Sequence, residues 1–163
     1  MPRWWATKVR QFFGHLRARV TPAERAALAG WVAPPALALF DRMHVADRRH
    51  GLDVVEALRR EGVRDSDVLL AGLLHDAGKG RTGVWPRVVY ALGQAWGPWV
   101  WRTAAVLPAM RVALDRLRAH AEASARLAAE AGCPARTVEL IRHQDAPVDP
   151  EFGEALRLAD EAS

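Results

Sequence analysis

Cysteine and lysine are almost absent from this chain. A single cysteine, Cys133, among 163 residues rules out an internal disulfide, and a reducing, cytoplasmic compartment is the simplest setting for such a protein. Lys8 and Lys79 are the only lysines, so the basic charge behind the net +4 is almost entirely arginine. Long apolar runs are missing too. The uncharged stretch from Val88 to Trp101 is interrupted by Gly93, Gly97 and Pro98, and it falls short of the roughly 18 residues that a membrane-spanning helix requires. The N-terminal stretch does not read as a secretory signal, because Arg3, Lys8, Arg10, Arg17 and Arg19 break its apolar residues. Nor does any segment alternate apolar and polar residues with period two, which argues against a sheet.

Ala, Leu, Arg and Glu dominate what is present, and these residues favour helix. Half of the residues are apolar and 26% are charged, as in an ordinary soluble globular protein, and the length suits a single folded unit. The expected class is all-α. A first helix is expected over Pro2 to Arg19. Thr21-Pro22-Ala23-Glu24 has the form of a capping box and starts a second, to Val32. Others follow over Ala36 to His44, from an Asp47 cap to Arg60, and from an Asp65 or Ser66 cap over Val68 to Ala77. A Trp-rich stretch, Trp85 to Trp101, precedes a long helix from Arg111 to Ala131. Helices over Pro134 to His143 and Pro150 to Glu161 complete the chain. Residues 1–38 read as an N-terminal helical extension packed on the main domain, 39–163, with 84–110 inserted in it.

Leu73-Leu74-His75-Asp76-Ala77-Gly78-Lys79-Gly80 is the sharpest local feature. An unpaired buried carboxylate costs several kcal/mol, so one placed in an apolar helix needs a donor or a cation beside it. An imidazole nitrogen with a carboxylate oxygen suits Mn, Fe, Co, Ni or Zn better than Ca. Four further residues project from apolar faces: His50, His120, His143 and Asp160. His15 and His44 are read as ordinary histidines. Lys79 stands out in an arginine-biased chain, and a compact ammonium approaches phosphate as a point charge.

The ordered set His50, His75-Asp76, His120, His143, Asp160 resembles the HD-domain superfamily of metal-dependent phosphohydrolases, in its HDIG-type branch. The likeness covers residues 40–163, with His75-Asp76-Ala77-Gly78-Lys79 its most specific part. It implies a compact helical bundle in which His50, His75, Asp76 and Asp160 bind one divalent ion. His120 and His143 match the positions that hold a second ion in dinuclear members, with Asp76 bridging and Lys79 on the scissile phosphate. The extended signature ending Gly-Tyr-Pro, carried by the cyclic-di-GMP phosphodiesterases of that superfamily, is missing after His143. The function implied is hydrolysis of a phosphomonoester or phosphodiester, a nucleotide foremost, with Asp76 and Lys79 as catalytic residues. Two alternatives remain: a mixed-valence di-iron oxygenase with the same ligands, and a non-catalytic nucleotide-binding module.

Trp85, Trp96, Trp99 and Trp101, with Arg81, Arg87 and Arg102 around them, could form a lid, a base-stacking platform or a membrane contact. Core packing or a homodimer contact is the preferred reading. The same choice arises for Trp4, Trp5, Phe12 and Phe13, and membrane-surface binding is the lesser option there. The expected partner is a small phosphorylated molecule rather than a stably bound nucleic acid.

Overall fold

Local capping chemistry sets several of the helix starts. In the computed structural model, which describes residues 18–80 and 84–163, Thr21 and Glu24 form the expected capping box. The Glu24 amide donates to Thr21 Oγ1 at 3.2 Å, and the Thr21 amide donates to the Glu24 carboxylate at 2.8 Å. This opens α1 (Pro22–Leu28), and α2 (Pro34–Arg42) follows with prolines in its first turn. His44, not Asp47, caps α3 (Val45–Arg60), its Nδ1 accepting from the Ala46 amide at 3.3 Å. Asp65 caps α4 (Ser66–Leu74), accepting from the amides of Asp67 and Val68. A 3₁₀ turn (Ala77–Lys79) comes next. Then follow α5 (Val84–Trp96), α6 (Pro98–Ala104), α7 (Pro108–Arg118), α8 (His120–Glu130), α9 (Ala135–Arg142) and α10 (Gly153–Ala162). No strand occurs among the described residues, and the chain is all-α as expected.

Helix α4 is the pivot. Six of its nine residues are buried: Val68, Leu69, Ala71, Gly72, Leu73 and Leu74. It packs against α2, α3, α9 and α10. Phe40 of α2, Val54 and Leu58 of α3, Ile141 of α9 and Leu156 of α10 join it in one core, each such side chain contributing about 1.5–3 kcal/mol by leaving water. Thr137 fastens α9 to the start of α4 through its hydroxyl, which donates to the Asp67 carbonyl at 3.1 Å. A second group, α5 to α7, packs on itself and meets the rest through α7, which touches α8 and the 3₁₀ turn.

Two expectations that bear on the site change. The single helix expected over Arg111 to Ala131 is two, broken at Ala119 (φ −97°, ψ 11°). At the break the His120 ring donates from Nδ1 to the Leu117 carbonyl at 2.7 Å, which turns that histidine inward at the first turn of α8. The helix bearing His75-Asp76 stops at Leu74, so the pair lies at its C-terminal end rather than along its flank. Helix α2 spans residue 38, and Leu28 and Val32 sit in the same core as Phe40. The expected first helix lies outside the described residues except for Ala18 and Arg19, which are not helical.

Two glycines permit the close approaches that assemble the site. A Cβ on Gly51 would lie 2.5 Å from the Leu73 carbonyl oxygen, so α3 can reach α4 only with glycine next to His50. A Cβ on Gly78 would lie 2.5 Å from the His120 carbonyl oxygen and 2.5 Å from the Ser124 amide nitrogen. The Gly78 amide donates to Ser124 Oγ at 2.8 Å. In both places the obstacle is backbone, which cannot rotate aside. Gly51→Ala and Gly78→Ala are each expected to cost about 1–3 kcal/mol through overpacking. Thermal unfolding should show this as a Tm lowered by several degrees; an unchanged Tm in both would contradict the packing described.

Candidate metal centre

The C-terminal end of α4 delivers two polar residues into an apolar interior. His75 is its C-cap and Asp76 follows it, and both are buried with 2% of their surface exposed. His75 donates from Nδ1 to the Gly72 carbonyl at 2.9 Å, which fixes the ring and turns Nε2 toward the interior of the site. From the adjoining helices come His50 on α3 and Asp160 on α10. Asp160 Oδ1 lies 2.7 Å from His50 Nε2 and 3.2 Å from His75 Nε2. The rings of His50 and His75 meet edge to face with centroids 5.2 Å apart. Each of these three residues offers a ligand atom within 4.8 Å of the other two.

Asp76 adjoins this triad on the His75 side. Its Oδ1 lies 3.5 Å from His75 Nε2 and 3.7 Å from His120 Nε2, while its Oδ2 accepts from Lys79 Nζ at 2.6 Å. Neither His75 Nε2 nor Asp76 Oδ1 has a hydrogen-bond partner, although both are fully buried. Two orphaned donor atoms of this kind, facing each other across 3.5 Å, are where a cation would satisfy both. Joined by Asp76, the triad would offer two imidazole nitrogens and two carboxylates, a donor set that fits a divalent transition metal.

The electrostatics agree with that fit. Burial disfavours the charged form of Asp76, but the surrounding His75, Lys79, His50 and His120 outweigh burial and hold its carboxyl far below the usual range. Asp160 is held down likewise, against burial, by the His50 ring that hydrogen-bonds it and by the His75 ring beside it. On His75 burial works downward, and the carboxylates of Asp76 and Asp160 override it to raise its pKa from 6.5 to about 9. Lys79 is raised against burial, first by Asp76 and further by Asp47 and Asp160. For His120 burial and Lys79 prevail, and its pKa is lowered, favouring a neutral ring.

No family model, curated protein or solved structure matches the chain. The chemistry of the site therefore stands on its own geometry.

That geometry separates the residues expected from sequence into two groups. His50, His75, Asp76, Lys79 and Asp160 come together, and His120 faces Asp76 from α8. His143 does not join them. It caps α9 with 38% of its side chain exposed, and its Nε2 lies 3.4 Å from Glu139 Oε2. There it lines a separate cavity of about 220 Å³ with Arg136, Leu140, Pro147 and Asp149. The residue that faces His120 is the next one, Gln144, buried, with its amide nitrogen 2.8 Å from His120 Nε2. Because His120 Nδ1 donates to Leu117, its Nε2 accepts from the Gln144 amide and that lone pair is already engaged. The pair His120 and His143 expected for a second ion is thus not assembled.

Sequence reasoning missed Gln144 and Asp47. Gln144 directly follows a histidine at a helix end, where spacing alone does not say which neighbour turns inward. Asp47, expected as a cap, lies buried in the first turn of α3, where its charge reaches Lys79.

Because His75 carries a proton at neutral pH when metal-free, a divalent cation has to displace it. Metal affinity should rise by about tenfold per pH unit between pH 6 and 8 and level off above about 9. Titration calorimetry in two buffers of different ionisation enthalpy should show close to one proton released per ion. Binding without proton release would contradict this description of His75.

Proposed function

We propose that this chain is a metal-dependent phosphohydrolase acting on a phosphomonoester or phosphodiester, with a nucleotide as the foremost substrate class. The reading rests on the resemblance of the His50, His75-Asp76, Asp160 set to the HD superfamily. One observation supports it above the rest: the two partnerless ligand atoms on His75 and Asp76 converge beside a half-buried lysine. His50, His75, Asp76 and Asp160 would hold the ion, and Gln144 on His120 favours one ion over two. When bound, a divalent ion supplies positive charge that polarises a phosphoryl oxygen and acidifies water.

The rest falls to side chains of the chain. Asp76 is anchored by Lys79 through Oδ2, which leaves Oδ1 directed at the ligand atoms of the histidines. The Lys79 ammonium has three donors and spends one on Asp76. The other two can offset charge on the equatorial oxygens of a phosphoryl group, as electrostatic stabilisation of the transition state requires. The Gly72 carbonyl holds the His75 ring in one orientation, so its ligand nitrogen needs no reorganisation on binding. A di-iron oxygenase would require the Gln144 amide to leave His120 and His143 to turn inward, which makes the hydrolase the favoured reading.

The test is turnover of bis(p-nitrophenyl) phosphate, p-nitrophenyl phosphate and a nucleotide panel by protein loaded with Mn. Asp76→Ala should abolish metal retention and turnover together. Lys79→Met should keep the metal and lower kcat about 10²-fold, the scale of losing one oxyanion donor. Turnover that survives Asp76→Ala would overturn the proposal.

A further inference from the structure

The acidic residues of this chain are distributed unevenly. All nineteen fall outside two segments, residues 1–23 and 77–114. Those two segments hold ten basic residues: Arg3, Lys8, Arg10, Arg17 and Arg19 in the first, and Lys79, Arg81, Arg87, Arg102 and Arg111 in the second. They also hold six of the seven tryptophans. The remainder of the chain carries thirteen basic residues against nineteen acidic ones. The molecule is therefore basic and aromatic in two stretches and net acidic elsewhere.

The second stretch builds α5, α6 and the start of α7, and it leaves apolar side chains in water. Trp85 is 74% exposed, Trp99 58% and Val106 80%, and Trp96, Leu107 and Val112 are exposed as well. Trp85 and Trp96 are eleven residues apart on α5, which places them within about 20° of one another on the helix surface. Val89 and Leu92, half-buried, lie on the same stripe. What holds the three helices together is elsewhere. Trp101 stacks on Tyr90 with ring centroids 5.7 Å apart, donates to the Tyr90 carbonyl, and lies under the Arg118 guanidinium. Trp101 thus packs inward, while Trp85 and Trp99 are presented outward.

We infer that the α5–α7 face docks on an anionic lipid bilayer, lying in the headgroup plane with Trp85, Trp96, Trp99 and its exposed aliphatic side chains inserted. Indole rings and arginines together match the boundary between headgroups and acyl chains. A second copy of the chain fits poorly, because a two-fold contact through this face would set its basic residues against the same residues of the partner. Nucleic acid would answer the arginines but leave Val106, Leu107 and Val112 without a role. No helix among the described residues is long and apolar enough to cross a membrane, so the contact is one of surface attachment. The inference does not depend on the reading of the metal site.

The experiment is flotation of the full chain with vesicles of phosphatidylcholine alone and with about one part in three phosphatidylglycerol. The protein should float with the anionic vesicles, not with the neutral ones, and less at high salt. Brominated phosphatidylglycerol should quench its tryptophan fluorescence. Each basic group near an anionic leaflet contributes about fivefold to partitioning. Arg102→Glu with Arg111→Glu, both exposed, should therefore weaken it more than tenfold at unchanged helicity. Trp85→Ser with Trp99→Ser should also weaken it and reduce the quenching. Failure to float with anionic vesicles would overturn the inference, as would equal partitioning of both variants and the parent. So would a face shown by light scattering and duplex-DNA titration to serve only self-association or nucleic acid.

Discussion

A carboxylate sunk into an apolar core must be compensated, and in this protein that demand falls on Asp76. It follows the most buried helix of the fold, and its charge is met from several directions: the His75 ring, the Lys79 ammonium, and more distantly His50 and His120. Each compensating group arrives on a different element, so satisfying Asp76 constrains how those elements pack. The close contacts at Gly51 and Gly78 follow from this constraint. Without them, α3 could not carry His50 to His75, nor could the 3₁₀ turn lie against the start of α8. Even so, the compensation leaves Asp76 Oδ1 and His75 Nε2 without partners. A core arranged only for stability would have no reason to keep those two atoms facing one another.

Much of this was legible from the chain itself where a single local rule governs. The Thr21–Glu24 capping box and the Asp65 cap form because a side chain three residues or fewer away satisfies an amide, and nothing distant intervenes. His50, His75 and Asp160 were also readable, since each interrupts an apolar stripe and has to point into the core. The failures occur where geometry depends on the terminus of a helix. The break at Ala119 leaves no glycine or proline in the sequence, since it is stabilised by an imidazole bonding the Leu117 carbonyl. His143 and Gln144 sit where α9 unwinds, and helical periodicity no longer decides which of the two turns inward. His44 displaced Asp47 as the cap of α3 because Asp47 is drawn into the interior, where Lys79 feels its charge.

The distribution of charge joins the centre to the rest of the molecule. Lys79 belongs both to the site, through Asp76, and to the acid-free stretch that continues into α5, α6 and α7. Helix α7 in turn rests on the 3₁₀ turn and on α8, which bears His120. A basic, apolar face and the candidate metal centre are thus adjoining parts of one structure.

The central claim is that four residues, His50, His75, Asp76 and Asp160, form one cation site from which His143 is absent. The most direct measurement is an anomalous difference map from crystals of the protein soaked in Mn(II). The account predicts one peak, ligated by those four side chains, with Gln144 still on His120. Two peaks sharing His120 and His143, or no peak near Asp76, would contradict it.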